Sequence, residues 1–225
     1  MNSTRVNRLV PRSARARRGR ESAGLLGRGV LVLGLALSAA AAGAQTSVTL
    51  YGGARGGGDF EDAIGNGNTF RLKSGAAVSA SVDWQLDDGR VGQVFYSFQR
   101  SALPGTAFGQ ATEVKVNISY LHLGGRVFLD GDATHSGSYV VGGLGATLFS
   151  PGLAGLSDEV RPSLNIGIGY QWALAPHVAL RTELRGYLSL INSTGQFFCS
   201  GGCVVSISGK TLAQGEALLG VSVGF

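Results

Sequence analysis

About eight segments of alternating apolar and polar residues, joined by connections that are alternately short and long, follow an arginine-rich leader with a short apolar run. Together they predict an all-β chain: a signal peptide over residues 1–44, then an eight-stranded antiparallel up-and-down transmembrane β-barrel over 45–225. The 37 glycines are too many for a helical protein and too dispersed for a collagen-like repeat, but they suit curved strands around a narrow interior.

The leader explains the charge. Arg5, Arg8, Arg12, Arg15, Arg17, Arg18 and Arg20 precede the apolar stretch 29–42, and Ala42-Gly43-Ala44 has the small-x-small form of a cleavage site, leaving Gln45 as the first mature residue. An uncleaved anchor is the alternative, but the run is short for a helical span and closes on small residues. Eight of the nineteen Lys and Arg and one of the fourteen Asp and Glu lie in the leader, so eleven basic and thirteen acidic residues remain, and a formal +5 becomes about −2. The basic run is thus a targeting feature, and no nucleic-acid surface is expected.

The strands follow in order. In 47–57, Val48, Leu50 and Ala54 oppose Thr49, Tyr51 and Arg55; in 76–86, Val78, Ala80, Val82 and Trp84 oppose Ser79, Ser81, Asp83 and Gln85. Over 90–100, Val94, Tyr96 and Phe98 oppose Gln93, Ser97 and Gln99, with Phe95 out of pattern. The fourth segment sets Val114, Val116, Ile118 and Tyr120 against Glu113, Lys115, Asn117 and Ser119, and assigns the first set to the apolar exterior. Segment 139–149 is glycine-rich with no clear parity. Leu164, Ile166, Ile168, Tyr170 and Trp172 then oppose Asn165, Gly167, Gly169 and Gln171, and Val178, Leu180, Leu184 and Leu188 oppose Arg181, Glu183, Arg185 and Tyr187. The last strand, entered through Glu216, places Leu219, Val221, Val223 and Phe225 on one wall and Gly220, Ser222 and Gly224 on the other.

A soluble sandwich also alternates, so two further features carry the membrane reading. Asp87-Asp88-Gly89 and Ala175-Pro176-His177 are tight connections, whereas those near 58–69, 101–111, 150–162 and 191–210 are long; 130–138 is longer than the scheme requires. Trp84 and Trp172 each stand three residues before a short turn, and Phe225 ends a strand running to the same side, so all three are expected at one bilayer interface.

An eight-stranded barrel is just wide enough for its own side chains to fill it. The polar parity delivers Arg55, Asp83, Glu113, Lys115, Arg181, Glu183, Arg185 and Glu216 to that interior, four acidic and four basic, where ionised groups must pair. Packing is the plainer reading of this network; an ion path or ligand site is the other.

Cys199 and Cys203, separated by Ser-Gly-Gly in the last long loop, are expected to close a disulfide in an exported protein, since two thiols without a nearby His form an incomplete zinc set. His122, His135 and His177 are the candidate bases. On the assigned parity His122 faces lipid and the other two lie in short-side turns, none beside a nucleophile and an orienting carboxylate, so no enzyme, cofactor or metal is expected. Asp59-Phe-Glu-Asp62 lacks the spacing of a calcium loop.

These residues resemble the small eight-stranded outer-membrane β-barrels of proteobacteria, the porin-like or OmpA-type group. The resemblance rests on Tyr120-Leu-His-Leu-Gly-Gly125, the stretch 141–151, Arg181-Thr-Glu-Leu-Arg-Gly-Tyr187, Phe198-Cys-Ser-Gly-Gly-Cys203 and the terminal Phe225, and covers most of the mature chain. It implies a monomer in the outer membrane of a Gram-negative bacterium, surrounded by outer-membrane lipids, with a C-terminal strand read by the barrel-assembly machinery. It does not carry over cell-wall tethering, because the peptidoglycan-binding domain of larger relatives is not seen. The functions in view are a structural or surface-interaction role through the long loops, a narrow channel or small-solute transporter, and an outer-leaflet lipid-modifying enzyme.

Overall fold

A computed structural model of the chain describes residues 45–61, 69–104, 112–152, 157–191 and 211–225. Eight strands close into one antiparallel barrel: β1 (Thr46–Gly57), β4 (Gly75–Gln85), β5 (Arg90–Leu103), β6 (Val114–Phe128), β7 (Gly137–Pro151), β8 (Glu159–Ala175), β9 (Val178–Leu190) and β10 (Thr211–Gly224). A small hairpin of β2 (Asp59–Glu61) and β3 (Thr69–Arg71), not foreseen from the periodicity, stands in the first long connection. Each barrel strand pairs with its neighbours in sequence, and β1 closes the cylinder by pairing with both β10 and β4. Closure removes every sheet edge, which is what a strand needs where no water can satisfy its backbone.

The exterior is apolar. Leu144 is 71% exposed and Ile166 68%, and Leu50, Val78, Leu123, Leu184 and Leu219 join them around the cylinder. Charges and amides are inside: Arg55 and Asp83 are each 1% exposed. A soluble protein would place these two sets the other way round.

Six of the eight strands carry the expected walls, with Phe95 joining Gln93, Ser97 and Gln99 inside β5; β7, to which no parity was assigned, turns Tyr139, Val141, Thr147 and Phe149 inward. Strand β6 is the correction. Val114, Val116, Ile118, Tyr120 and His122 point into the lumen, while Glu113 and Lys115 are exposed, so neither belongs to the interior charge set, and His122, 2% exposed, does not face lipid. The loop-side third of the lumen is apolar, built from Val116, Ile118, Leu103, Phe149, Leu212 and their neighbours, and β6 turns its apolar wall inward to complete that plug.

All connections at one end are compact. Gly89 donates its amide to Asp87 Oδ1 at 3.1 Å, and Arg90 holds the other carboxylate oxygen at 2.5 Å. The unexpectedly long 129–136 connection lies across the mouth of the barrel. There Gln171 Nε2 donates to the carbonyls of Ala133 and His135 at 3.1 and 3.0 Å, and Ala133 packs on the cluster of Val91, Phe128, Tyr139 and Val141.

Candidate functional site: the charged lumen

Three buried carboxylates organise the interior. Asp83, on β4, accepts from Arg181 Nη1 at 2.7 Å and Gln93 Nε2 at 2.7 Å, with Arg126 Nη2 at 3.3 Å and the Ser81 hydroxyl at 3.2 Å. Glu183, on β9, accepts from Arg185 Nε at 2.6 Å and from the hydroxyls of Tyr51 and Tyr139 at 2.9 and 2.8 Å. Glu216, on β10, accepts from Arg55 Nη2 at 3.3 Å, Ser97 Oγ at 3.0 Å and the Tyr187 hydroxyl.

Thus Arg55, Asp83, Arg181, Glu183, Arg185 and Glu216 meet inside the barrel, whereas Glu113 and Lys115 lie outside it. Glu113 instead pairs with Lys73 at 3.6 Å, both side chains more than half exposed. Arg126, buried with 2% exposure, takes a place in the network that the sequence reading did not give it. It shares parity with Tyr120 and His122, so the alternation that left the inner wall of β6 undecided left Arg126 undecided with it.

The cations are also covered by rings. Arg185 Cζ sits 3.7 Å from the Phe95 centroid, Arg55 Cζ 4.7 Å from that of Tyr120, and Arg126 Cζ 5.1 Å from that of Tyr139. Four guanidinium groups therefore face three carboxylates, and the aromatic faces stabilise the excess positive charge. Two N–H-bearing nitrogens of Arg55 and two of Arg126 have no hydrogen-bond acceptor, consistent with that coverage.

Polar groups and rings leave little free bore. A cavity of about 160 Å³ opens at the short-turn end, lined among others by Asp83, Arg126, Gln171 and Arg181, and stops at the ionic layers above. His122 Nε2 lies 3.0 Å from Ser163 Oγ, but its Nδ1 has no partner and the ring lies beside the stacked pair of Tyr120 and Tyr187, 5.6 and 5.9 Å from their centroids. His135 Nδ1 meets both Asp132 and Thr134, leaving no second ring nitrogen aligned to activate the hydroxyl; His177 is exposed in its turn. Among the described residues no group of three or more His, Cys, Asp or Glu is arranged to hold a metal ion.

Trp84, Trp172 and Phe225 stand at the short-turn end. Trp84 pairs across to Thr46, Trp172 to Leu180, and the Phe225 amide donates to the Thr46 carbonyl at 2.8 Å. Tyr170 adds a fourth ring, 4.8 Å from Trp172. Ala42, Ala44, Cys199 and Cys203 lie outside the described residues, and Gln45 is the first of them, its carbonyl accepting the Gln85 amide at 3.0 Å.

The closed, antiparallel eight-stranded cylinder is matched among solved structures. The crystal structure of Neisserial surface protein A superposes with a TM-score of 0.53 at 17% identity, covering 81% of this chain and 99% of that one. The chain has the fold of the small outer-membrane β-barrels. Outer membrane protein OprG from Pseudomonas aeruginosa agrees equally well, with a TM-score of 0.53 at 11% identity over 81% of this chain and 96% of that one. No protein-family model and no curated protein matches the chain. Identities this low leave the outer-membrane barrel fold as the common property.

Proposed function

We propose that this barrel is a resident of the Gram-negative outer membrane that acts at the surface through its long loops, with a lumen closed by its own side chains. The observation that carries this reading is the triple layering of Asp83, Glu183 and Glu216: Asp83 is bonded to Arg181 and Glu216 to Arg55 across strands, and Glu183 to Arg185 two residues along β9. Ions crossing the lumen would have to break several buried ion pairs, each held in a low-dielectric enclosure. The leader then directs export, with cleavage after Ala44, and the terminal strand ending in Phe225 offers the assembly machinery its recognition segment.

Planar-bilayer recording tests the closed state. The wild-type protein is expected to give no resolved openings; steady ion-selective openings that disappear on neutralising Arg181 or Glu183 would establish the channel reading instead. One observation favours that second reading in part: the 160 Å³ vestibule at the short-turn mouth reaches Asp83 and Arg181. A lipid-modifying activity is tested by mass spectrometry of outer-leaflet lipid after overexpression, where unchanged lipid is the expected result.

A further inference from the structure

The outward face of β4–β6 breaks the apolar rule at one level only. Of the ten lysines and arginines among the described residues, five are exposed: Arg90 at the short-turn start of β5, and Arg71, Lys73, Arg100 and Lys115 at the loop end. Across β5 and β6, Arg100 stands opposite Asn117 and Ala102 opposite Lys115, so Arg100 and Lys115 are diagonal neighbours on the outer wall. Lys73 joins them from the link between β3 and β4, its amide bonded to the Ala102 carbonyl at 3.0 Å, and its ammonium pairs with Glu113.

Height along the barrel gives this cluster its meaning. Trp84 pairs with Gly92, marking the aromatic level at the short-turn end, and Lys115 pairs with Ala102, ten residues further along β5. At about 3.3 Å per residue and a tilt near 40°, those ten residues rise about 25 Å, the height of the apolar band of an outer-membrane barrel. Lys115 therefore reaches the opposite interface, where lipid phosphates lie, and Arg100, about one step lower, can lay its stem along the wall and extend its head upward. Its Cζ is 6.0 Å from the Phe98 ring centroid. Below the cations, Tyr96, Leu121 and Leu123 are exposed and continue the same face as an apolar track for an acyl chain.

We propose that the outer face formed by Lys73, Arg100 and Lys115 binds the phosphate headgroup of an anionic lipid in the loop-side leaflet. Net charge complementarity selects a phosphate, and the apolar track beneath selects a lipid over free phosphate. The inference rests on the outer-membrane reading, and the test separates the two.

The purified protein is folded into vesicles of phosphatidylcholine alone and of phosphatidylcholine with phosphatidic acid, and the unfolding midpoint is read from heat-modified gel mobility. Failure to fold in either vesicle rejects the membrane reading itself. Wild-type protein is expected to gain about 4–8 °C with phosphatidic acid, as two cations at an anionic surface imply. R100Q/K115Q is expected to lose that gain, and R90Q, at the other end, to keep it. An undiminished gain in R100Q/K115Q, loss of the gain in R90Q, or an equal gain from inorganic phosphate in phosphatidylcholine overturns the proposal. If the double variant does not fold, K115Q alone, at a strand terminus, decides: its gain must fall to about half or less.

Discussion

The Tyr51 hydroxyl on β1 donates to Glu183 Oε1 on β9 at 2.9 Å, reaching over β10 through the lumen. Tyr139 meets the same oxygen from β7, so one carboxylate ties three strands that are not mutual neighbours.

That junction predicts a graded series. Tyr51→Phe removes one hydrogen bond to a charged acceptor and is expected to cost about 1.5–3 kcal/mol. Glu183→Ala strands the Arg185 guanidinium and is expected to cost about 3–5 kcal/mol. Urea unfolding in lipid vesicles measures both, and equal losses would show that the carboxylate is not the centre of the junction.

The inverted parity of β6 predicts an asymmetry between adjacent residues. Ile118 is fully buried and Asn117 exposed, so Ile118→Ala should cost about 2–4 kcal/mol while Asn117→Ala stays within about 0.5 kcal/mol. The original assignment of Val114 to Tyr120 to the exterior predicts the reverse order.

Two glycines should respond with opposite signs. A Cβ on Gly124 would overlap the Gly142 carbonyl oxygen and stand 2.5 Å from Gly143 Cα, whereas one on Gly52 meets nothing within 4 Å. Gly124→Ala is expected to destabilise by at least about 1–3 kcal/mol and to weaken the heat-resistant gel band, and Gly52→Ala to be neutral or stabilising by about 0.5 kcal/mol. The unfolding midpoints of the two variants provide the comparison.

Acid should reach the short-side turn late. The Thr134 hydroxyl, with His135 beside it, holds the Asp132 carboxylate below the usual carboxylate range. A depressed folded value means the turn has its full support above the unfolded carboxylate value near 4 and loses it as pH falls through the lower folded value. Carboxyl NMR should show Asp132 still ionised when exposed acids have protonated, and D132A, which removes the acceptor, should lose the amide protection of Thr134 and His135 at neutral pH. A normal titration midpoint for Asp132 would reject this account.

Strand number, the direction of six walls, the polar interior of β9 and β10, and the placement of Trp84, Trp172 and Phe225 at one end were legible because each depends on local alternation and on turn chemistry. Arg181, Glu183 and Arg185 alternate with leucine within one strand, so their shared face needed no partner to be recognised. Strand β6 was different: Val114 to Tyr120 and Glu113 to Ser119 alternate equally well whichever set faces inward, because period two states that there are two walls and not which is the inner one. Neither could the hairpin of β2 and β3 nor the path of 129–136 across the mouth be read from three-residue segments or from turn residues.

Alternating side chains, then, determined by themselves that this chain makes curved strands with one oily and one polar wall, since that property belongs to the pleat of each strand alone. Only closure of the cylinder decided which carboxylate meets which guanidinium, that Arg126 enters the lumen, and that Lys115 stands on the outer wall. Those choices depend on the stagger between strands and on the volume left at each height, and both exist only once β1 has met β10.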